Sequence, residues 1–175
     1  LSLTGKLLIK DRLTRQGSAG FAARSDHMGV GLVGRTLGSI GFGNIGAELF
    51  RLAKPFGMRF IAFDPFVDAE KAAKLGVELV DLDAVFQQSD VLAINCPLTD
   101  ETHHLVDAAR LDSMKSTAFL INTARGPIID QTALTQALQE GRLAGAGLDV
   151  FETEPPEASD PLLQLENVIV SPHAL

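Results

Sequence analysis

Seven short apolar runs, at residues 36–40, 58–63, 78–80, 91–95, 117–122, 145–149 and 168–170, alternate along the chain with stretches whose apolar residues recur at helical spacing. Most of the runs are apolar throughout rather than at every second position. A strand of that kind is covered on both faces, and the helical stretches between runs supply the crossovers that parallel strands require. The pattern predicts an α/β fold built on a doubly wound parallel sheet. Two helices stand out. Leu49, Phe50, Leu52, Ala53 and Phe56 form an apolar stripe on residues 47–56 ahead of Gly57, and Ala133, Leu134, Ala137 and Leu138 do so on 131–140 ahead of Gly141. Residues 1–35 read differently. Leu3, Leu7, Leu8 and Leu13 among lysines and arginines predict one helix, and residues 16–31, rich in Gly, Ser and Ala, read as a linker. Residues 155–161, PPEASDP, form a second loop, and no internal repeat is evident.

Composition narrows the setting. A chain of 175 residues suffices for one domain with a real core, and 46% hydrophobic with 21% charged residues describes a soluble globular chain. No apolar run reaches the roughly 18–20 residues of a membrane span. A net charge of -7 provides no basic field for nucleic acid. The lone Cys96 allows no internal disulfide and the first residues show no basic-then-apolar leader pattern, so a reducing cytoplasm is the expectation.

Between the first run and the 47–56 helix lies GFGNIG, with Gly41, Gly43 and Gly46 in G-x-G-x-x-G spacing. In that spacing the first glycine permits a turn, the second lets backbone approach a pyrophosphate, and the third lets helix and strand pack closely. The amides of Asn44 and Ile45 and the positive end of the helix suit an anion. Alone, the same spacing also makes a tight turn. Asp64 adds the second feature: it lies 18 residues beyond Gly46, at the carboxyl end of the next apolar run. A carboxylate there accepts hydrogen bonds from ribose hydroxyls and repels a 2'-phosphate, which favours NAD over NADP.

In open α/β sheets, ligands bind beyond the carboxyl ends of the strands. Three polar residues occupy such places: Arg125 after the fifth run, Glu154 after the sixth, and His173 after the seventh. An arginine grips a carboxylate through two parallel bonds, a histidine exchanges a proton with a hydroxyl or carbonyl, and a glutamate orients that histidine. Taken singly, each is ordinarily a solvated surface residue, and spacing alone does not bring them together. Nor does spacing choose between Glu152 and Glu154.

The segments GRTLGSIGFGNIG, FDP, NCPLTDETHHLV, FLINTARGPIID, LAGAGLDVFETEPP and NVIVSPH, in this order, resemble the D-isomer-specific 2-hydroxyacid dehydrogenase family, which includes D-3-phosphoglycerate dehydrogenase. The likeness spans residues 31–173 and implies a Rossmann-type fold. It also implies that Arg125 binds the substrate carboxylate, His173 is the general acid and base, and Glu154 rather than Glu152 pairs with His173. NAD contacts are implied from Gly41, Gly43, Asn44, Ile45, Gly46 and Asp64. Further contacts are implied from Cys96, Pro97, Thr102, Thr123, Ala124 and Asp149, and from Arg125 and His173 themselves. Members are commonly about twice this length and form homodimers. The resemblance therefore implies a nucleotide-binding domain at 31–175, with residues 1–30 as an interdomain helix and linker left from a substrate domain. The substrate would be a small 2-hydroxy or 2-oxo acid. Asn44 stands where the family often has arginine, and Ala174-Leu175 where it often has a glycine-rich continuation. Formate dehydrogenase shares the fold but pairs its histidine with glutamine. The C-terminal-binding-protein corepressors share the dinucleotide domain and remain the competing reading, as NAD(H)-sensing scaffolds. His103 and His104 lack C-x-x-C or H-x-x-x-H spacing, so no metal is expected there.

Overall fold

The computed structural model describes residues 1–174, so of the Ala174-Leu175 pair Leu175 lies outside the described residues. The apolar runs become strands β1 (Thr36–Ile40), β2 (Arg59–Phe63), β3 (Val77–Leu79), β4 (Val91–Ile94), β5 (Phe119–Asn122), β6 (Gly145–Leu148) and β7 (Val168–Val170). They form one sheet in the order β3-β2-β1-β4-β5-β6-β7, with every neighbouring pair parallel. This is a Rossmann-like sheet. The chain winds outward from β1 through β2 to β3, then returns to place β4 on the other side of β1. A crevice opens where the loops after β1 and β4 diverge.

Helices α1 (Leu7–Arg15) and α2 (Ser18–Ala22) precede the sheet, and α3 (Asn44–Ala53), α4 (Ala69–Lys74), α5 (Leu82–Gln88), α6 (Ala108–Ser113) and α7 (Gln131–Gln139) connect its strands. Successive strand residues point to opposite faces and so feed two cores. Ile40, Ile61, Leu92 and Leu120 pack with Val85, Phe86, Leu111 and Leu134 of α5, α6 and α7. On the other face, Leu37, Phe60 and Ala62 pack with Phe50 and Ala53 of α3 and Ala72 of α4. Four connecting helices start on an aspartate, namely Asp68, Asp81, Asp107 and Asp130, whose carboxylate accepts a first-turn N–H. Helix α3 starts on Gly43 without a side-chain cap.

Two expectations need correction. Residues 16–31, read as a linker, contain α2 and a 3-10 turn over Ala23–His27. Ala19, Ala22 and Ala23 favour helix there, and Gly20 lies so close to α1 that a Cβ would come 1.9 Å from the Leu13 carbonyl oxygen. The helix read over 47–56 begins earlier, at Asn44, and its last turn tightens to a 3-10 turn at Lys54–Phe56. Pro55 lacks the N–H that an α-helical turn needs.

Candidate active site

Gly41 leaves β1 at a φ of 94°, in the region open to glycine, and a Cβ there would sit 2.7 Å from the Asn95 carbonyl. At Gly46 a Cβ would come 2.5 Å from the Gly41 oxygen, so α3 rests directly on the turn that ends β1. Gly43 is different: a Cβ there meets nothing within 4 Å, and the bare backbone borders open space. The first-turn amides of α3, from Asn44, Ile45 and Gly46, have no intrahelical acceptor and adjoin that space with the positive end of the helix. The open space and the free amides fit the diphosphate of NAD.

The carboxylate of Asp64 is occupied by backbone on both oxygens. Oδ2 accepts the Phe42 N–H at 2.7 Å and Oδ1 accepts the Phe66 N–H at 2.9 Å. The first bond ties the glycine loop to the end of β2, and the second makes an Asx turn. Each oxygen keeps a further lone pair, so a ribose hydroxyl can still donate to it. Beside it lies a cavity of about 620 Å³ lined by Gly41, Gly43, Asp64, Cys96, Pro97 and Thr102 from the sequence-read set. Phe66, Leu82, Asn95 and Leu105 line it too; Asn95 and Leu105 belong to the NCPLTDETHHLV segment, and Phe66 and Leu82 to none of the segments that carry the resemblance. The Thr102 hydroxyl donates to the Pro97 carbonyl at 2.7 Å and accepts the Thr99 N–H at 2.7 Å, which shapes the wall. Burial, helped by the nearby Asp64 charge, pushes the Cys96 thiol up to about 11. It stays protonated at neutral pH and packs rather than attacks.

The remaining residues gather at the carboxyl ends of β5, β6 and β7. Asn122 folds Thr123, Ala124 and Arg125 into a tight loop: its Nδ2 donates to the Arg125 carbonyl at 2.9 Å and its Oδ1 accepts the Ala124 N–H at 3.0 Å. Arg125 is exposed. Gly126 presses that loop onto the next one, since a Cβ there would lie 1.8 Å from the Phe151 carbonyl oxygen. The sequence offers no hint of this contact beyond a glycine beside an arginine. Glu154 accepts the Phe151 N–H at 2.9 Å and pairs with Nδ1 of His173 at 2.8 Å. These two bonds, the His173 bond foremost, hold the Glu154 carboxyl below the usual carboxylate range. Asp149, buried beneath, accepts from the Ser171 hydroxyl and, at 3.2 Å, from the Ala174 N–H, bracing the turn that carries His173.

Glu152 turns the other way, to Nε2 of His104 at 2.7 Å. Glu154 is therefore the carboxylate at His173. Among the described residues no three His, Cys, Asp or Glu side chains gather as metal ligands.

Residues 1–174 match the family model described as D-isomer specific 2-hydroxyacid dehydrogenase, NAD binding domain. The chain is 48% identical over 170 residues to a glyoxylate reductase of Korarchaeum cryptofilum, covering 97% of this chain and 51% of that protein. Among solved structures it is similar to the apo D-lactate dehydrogenase of Escherichia coli, with a TM-score of 0.87 and 37% identity over 98% of this chain and 53% of that one. It is also similar to the NAD-complexed D-isomer specific 2-hydroxyacid dehydrogenase of Lactobacillus delbrueckii ssp. bulgaricus, with a TM-score of 0.85 and 30% identity over 98% of this chain and 56% of that one. The chain thus spans about half the length of these relatives. With the glycine loop after β1, Asp64 at the end of β2, and Arg125, Glu154 and His173 at the carboxyl ends of β5, β6 and β7 of a Rossmann-like sheet, the chain belongs to the D-isomer specific 2-hydroxyacid dehydrogenase family, as its NAD-binding domain.

Proposed function

We propose that the chain is the cofactor-binding part of an NAD-dependent oxidoreductase that interconverts a D-2-hydroxy acid and its 2-oxo acid. The carrying observation is the Glu154–His173 hydrogen bond, beside a loop that Gly126 seats against it behind Arg125. Bound NADH supplies a hydride to the carbonyl carbon, and NAD accepts it in the reverse direction. The fork of Arg125 grips the substrate carboxylate. His173 gives a proton from its ring to the carbonyl oxygen and takes it back from the hydroxyl, and Glu154 fixes the ring by holding Nδ1. The first-turn amides of α3 hold the diphosphate, Asp64 the adenosine ribose, and Cys96, Pro97, Thr102, Thr123, Ala124 and Asp149 complete the cofactor surface.

In this reading residues 31–175 are the nucleotide-binding domain, and residues 1–30, where α1 buries no side chain, are an interdomain helix and connector. A homodimer is supported by the family resemblance, and a cytoplasmic setting by the lone Cys96, which has no partner in this sequence for a disulfide. The test is to assay NADH oxidation by the complete protein with glyoxylate, hydroxypyruvate, pyruvate and phosphohydroxypyruvate, and to titrate NADH against NADPH calorimetrically. Turnover of at least one acid and a clear preference for NADH are expected. No turnover of any, with NADH binding and a peptide partner retained, would favour the corepressor-like scaffold instead.

A further inference from the structure

Glu152 lies outside the Arg-Glu-His set, yet it sits where three loops of the carboxyl edge meet. Its Oε1 takes Nε2 of His104 at 2.7 Å, its Oε2 accepts the Gln131 N–H at 3.0 Å, and its own N–H donates to Oε1 of Gln131 at 3.0 Å. Both carboxylate oxygens and the amide are thereby committed. The partners come from separate parts of the chain: His104 from the loop after β4, Gln131 from the first turn of α7, and Glu152 from the loop after β6.

Each partner is anchored in turn. The His104 N–H donates to the Pro127 carbonyl at 2.8 Å, and the Val106 N–H to the Ile128 carbonyl at 3.0 Å, so the loop after β4 is laced onto the segment that follows Arg125. His104 holds a φ of 49°, a left-handed conformation uncommon outside glycine, which its backbone bond to Pro127 and its ring bond to Glu152 help to fix. Nε2 of Gln131 donates to Asp160 at 2.7 Å, closing the far side. On the near side, Phe151 adjoins Glu152 in sequence; its N–H holds Glu154 and its carbonyl seats Gly126 beside Arg125. A displacement at Glu152 passes through one peptide to both the substrate clamp and the histidine partner.

We propose that Glu152 is a positioning residue, which through His104 and Gln131 sets the loop bearing Glu154 against the loop bearing Arg125. It touches no reacting atom. The claim rests on the reading of Arg125, Glu154 and His173 given above, and it replaces the simpler account in which the Glu152 bonds only add stability. Loss of such a brace moves the catalytic groups by fractions of an ångström, and misplacement on that scale costs rate rather than cofactor affinity.

The test uses the complete protein with Glu152→Ala, His104→Ala and His104→Gln, followed by kcat, KM, NADH affinity, thermal midpoint and the histidine ring signals by NMR, with Glu154→Ala, which removes the acceptor of Nδ1, marking an uncoupled His173. Glu152→Ala is expected to lower kcat by about 10- to 100-fold while NADH affinity stays within about threefold. His104→Gln, which keeps an N–H donor within reach of Glu152, should recover most of the rate lost in His104→Ala. The His173 signal of Glu152→Ala should move toward its position in Glu154→Ala. An unmoved His173 signal overturns the proposal whatever the kinetics, as does a lowered thermal midpoint with unchanged kcat. If the signal moves in a protein that reduces none of the four acids, the positioning role stands and the proposed reaction falls.

Discussion

Arg125 has the charge of a lysine but not its shape, and at the residue scale that difference is the sharpest handle on the reaction. A planar guanidinium makes two parallel bonds to a carboxylate, where an ammonium presents a point charge. Arg125→Lys should therefore lower kcat/KM by about 10- to 100-fold, the worth of one charge-assisted bond. NADH affinity should change less, because the glycine loop follows β1 whereas Arg125 follows β5, two strands away on the same edge of the sheet. Steady-state kinetics with calorimetry on the same preparation checks this, and equal losses in both would mean that Arg125 serves the cofactor instead. Glu154 behaves differently: its lowered carboxyl stays ionised through the neutral range and remains an acceptor for Nδ1 of His173 there.

At the scale of elements, the junction of β1 and α3 separates folding from binding within a few residues. Gly41 has a φ of 94° and backbone of the β4 end at 2.7 Å, whereas Gly43 has an ordinary extended backbone and open space at its Cβ. Gly41→Ala should cost roughly 2 kcal/mol or more, through strain and the clash with Asn95. Gly43→Ala should cost about 1 kcal/mol or less, because alanine is a poorer N-cap than glycine. Its methyl group enters the room kept for the diphosphate, so NADH affinity should fall by about tenfold or more. Denaturant unfolding and NADH titration of the two variants give opposite orders of severity if α3 is the anion site, and the same order if GFGNIG is only a turn.

For the whole molecule, the decisive charge lies at the amino ends of the strands, away from the site. Asp90, with 12% of its side chain exposed, accepts the Thr36 N–H at 2.8 Å and pairs with Lys115 at 3.0 Å and Arg35 at 3.4 Å. Burial alone would raise its carboxyl, but the Thr36 bond and the two cations outweigh burial and leave it lowered. A carboxyl lower in the folded than in the unfolded chain stabilises fully above the unfolded value of about 3.9, and loses that contribution as pH falls through the folded one. Asp90→Asn should cost about 2 kcal/mol at pH 7, and the gap should narrow as pH drops below about 4. Urea unfolding across that range checks it. A gap independent of pH would mean that Asp90 acts through shape rather than charge.

The sequence by itself determined the parallel sheet and the candidate place of the cofactor. Val91 to Ile94 reads as a strand because an unbroken apolar run fits a sheet covered on both faces, and GFGNIG with Asp64 reads as a candidate cradle because glycine spacing and a strand end are local features. The sites of Arg125, Glu154 and His173 at strand ends were equally legible. Only the tertiary structure decided who meets whom. That Glu152 goes to His104 and Glu154 to His173, that Asp64 holds the Phe42 amide, that Gly126 seats on Phe151, and that residues 18–27 coil against α1 all depend on contacts between distant segments. A residue's own neighbours along the chain shape its local backbone, but a carboxylate two positions from another differs from it mainly in the direction the folded loop turns it.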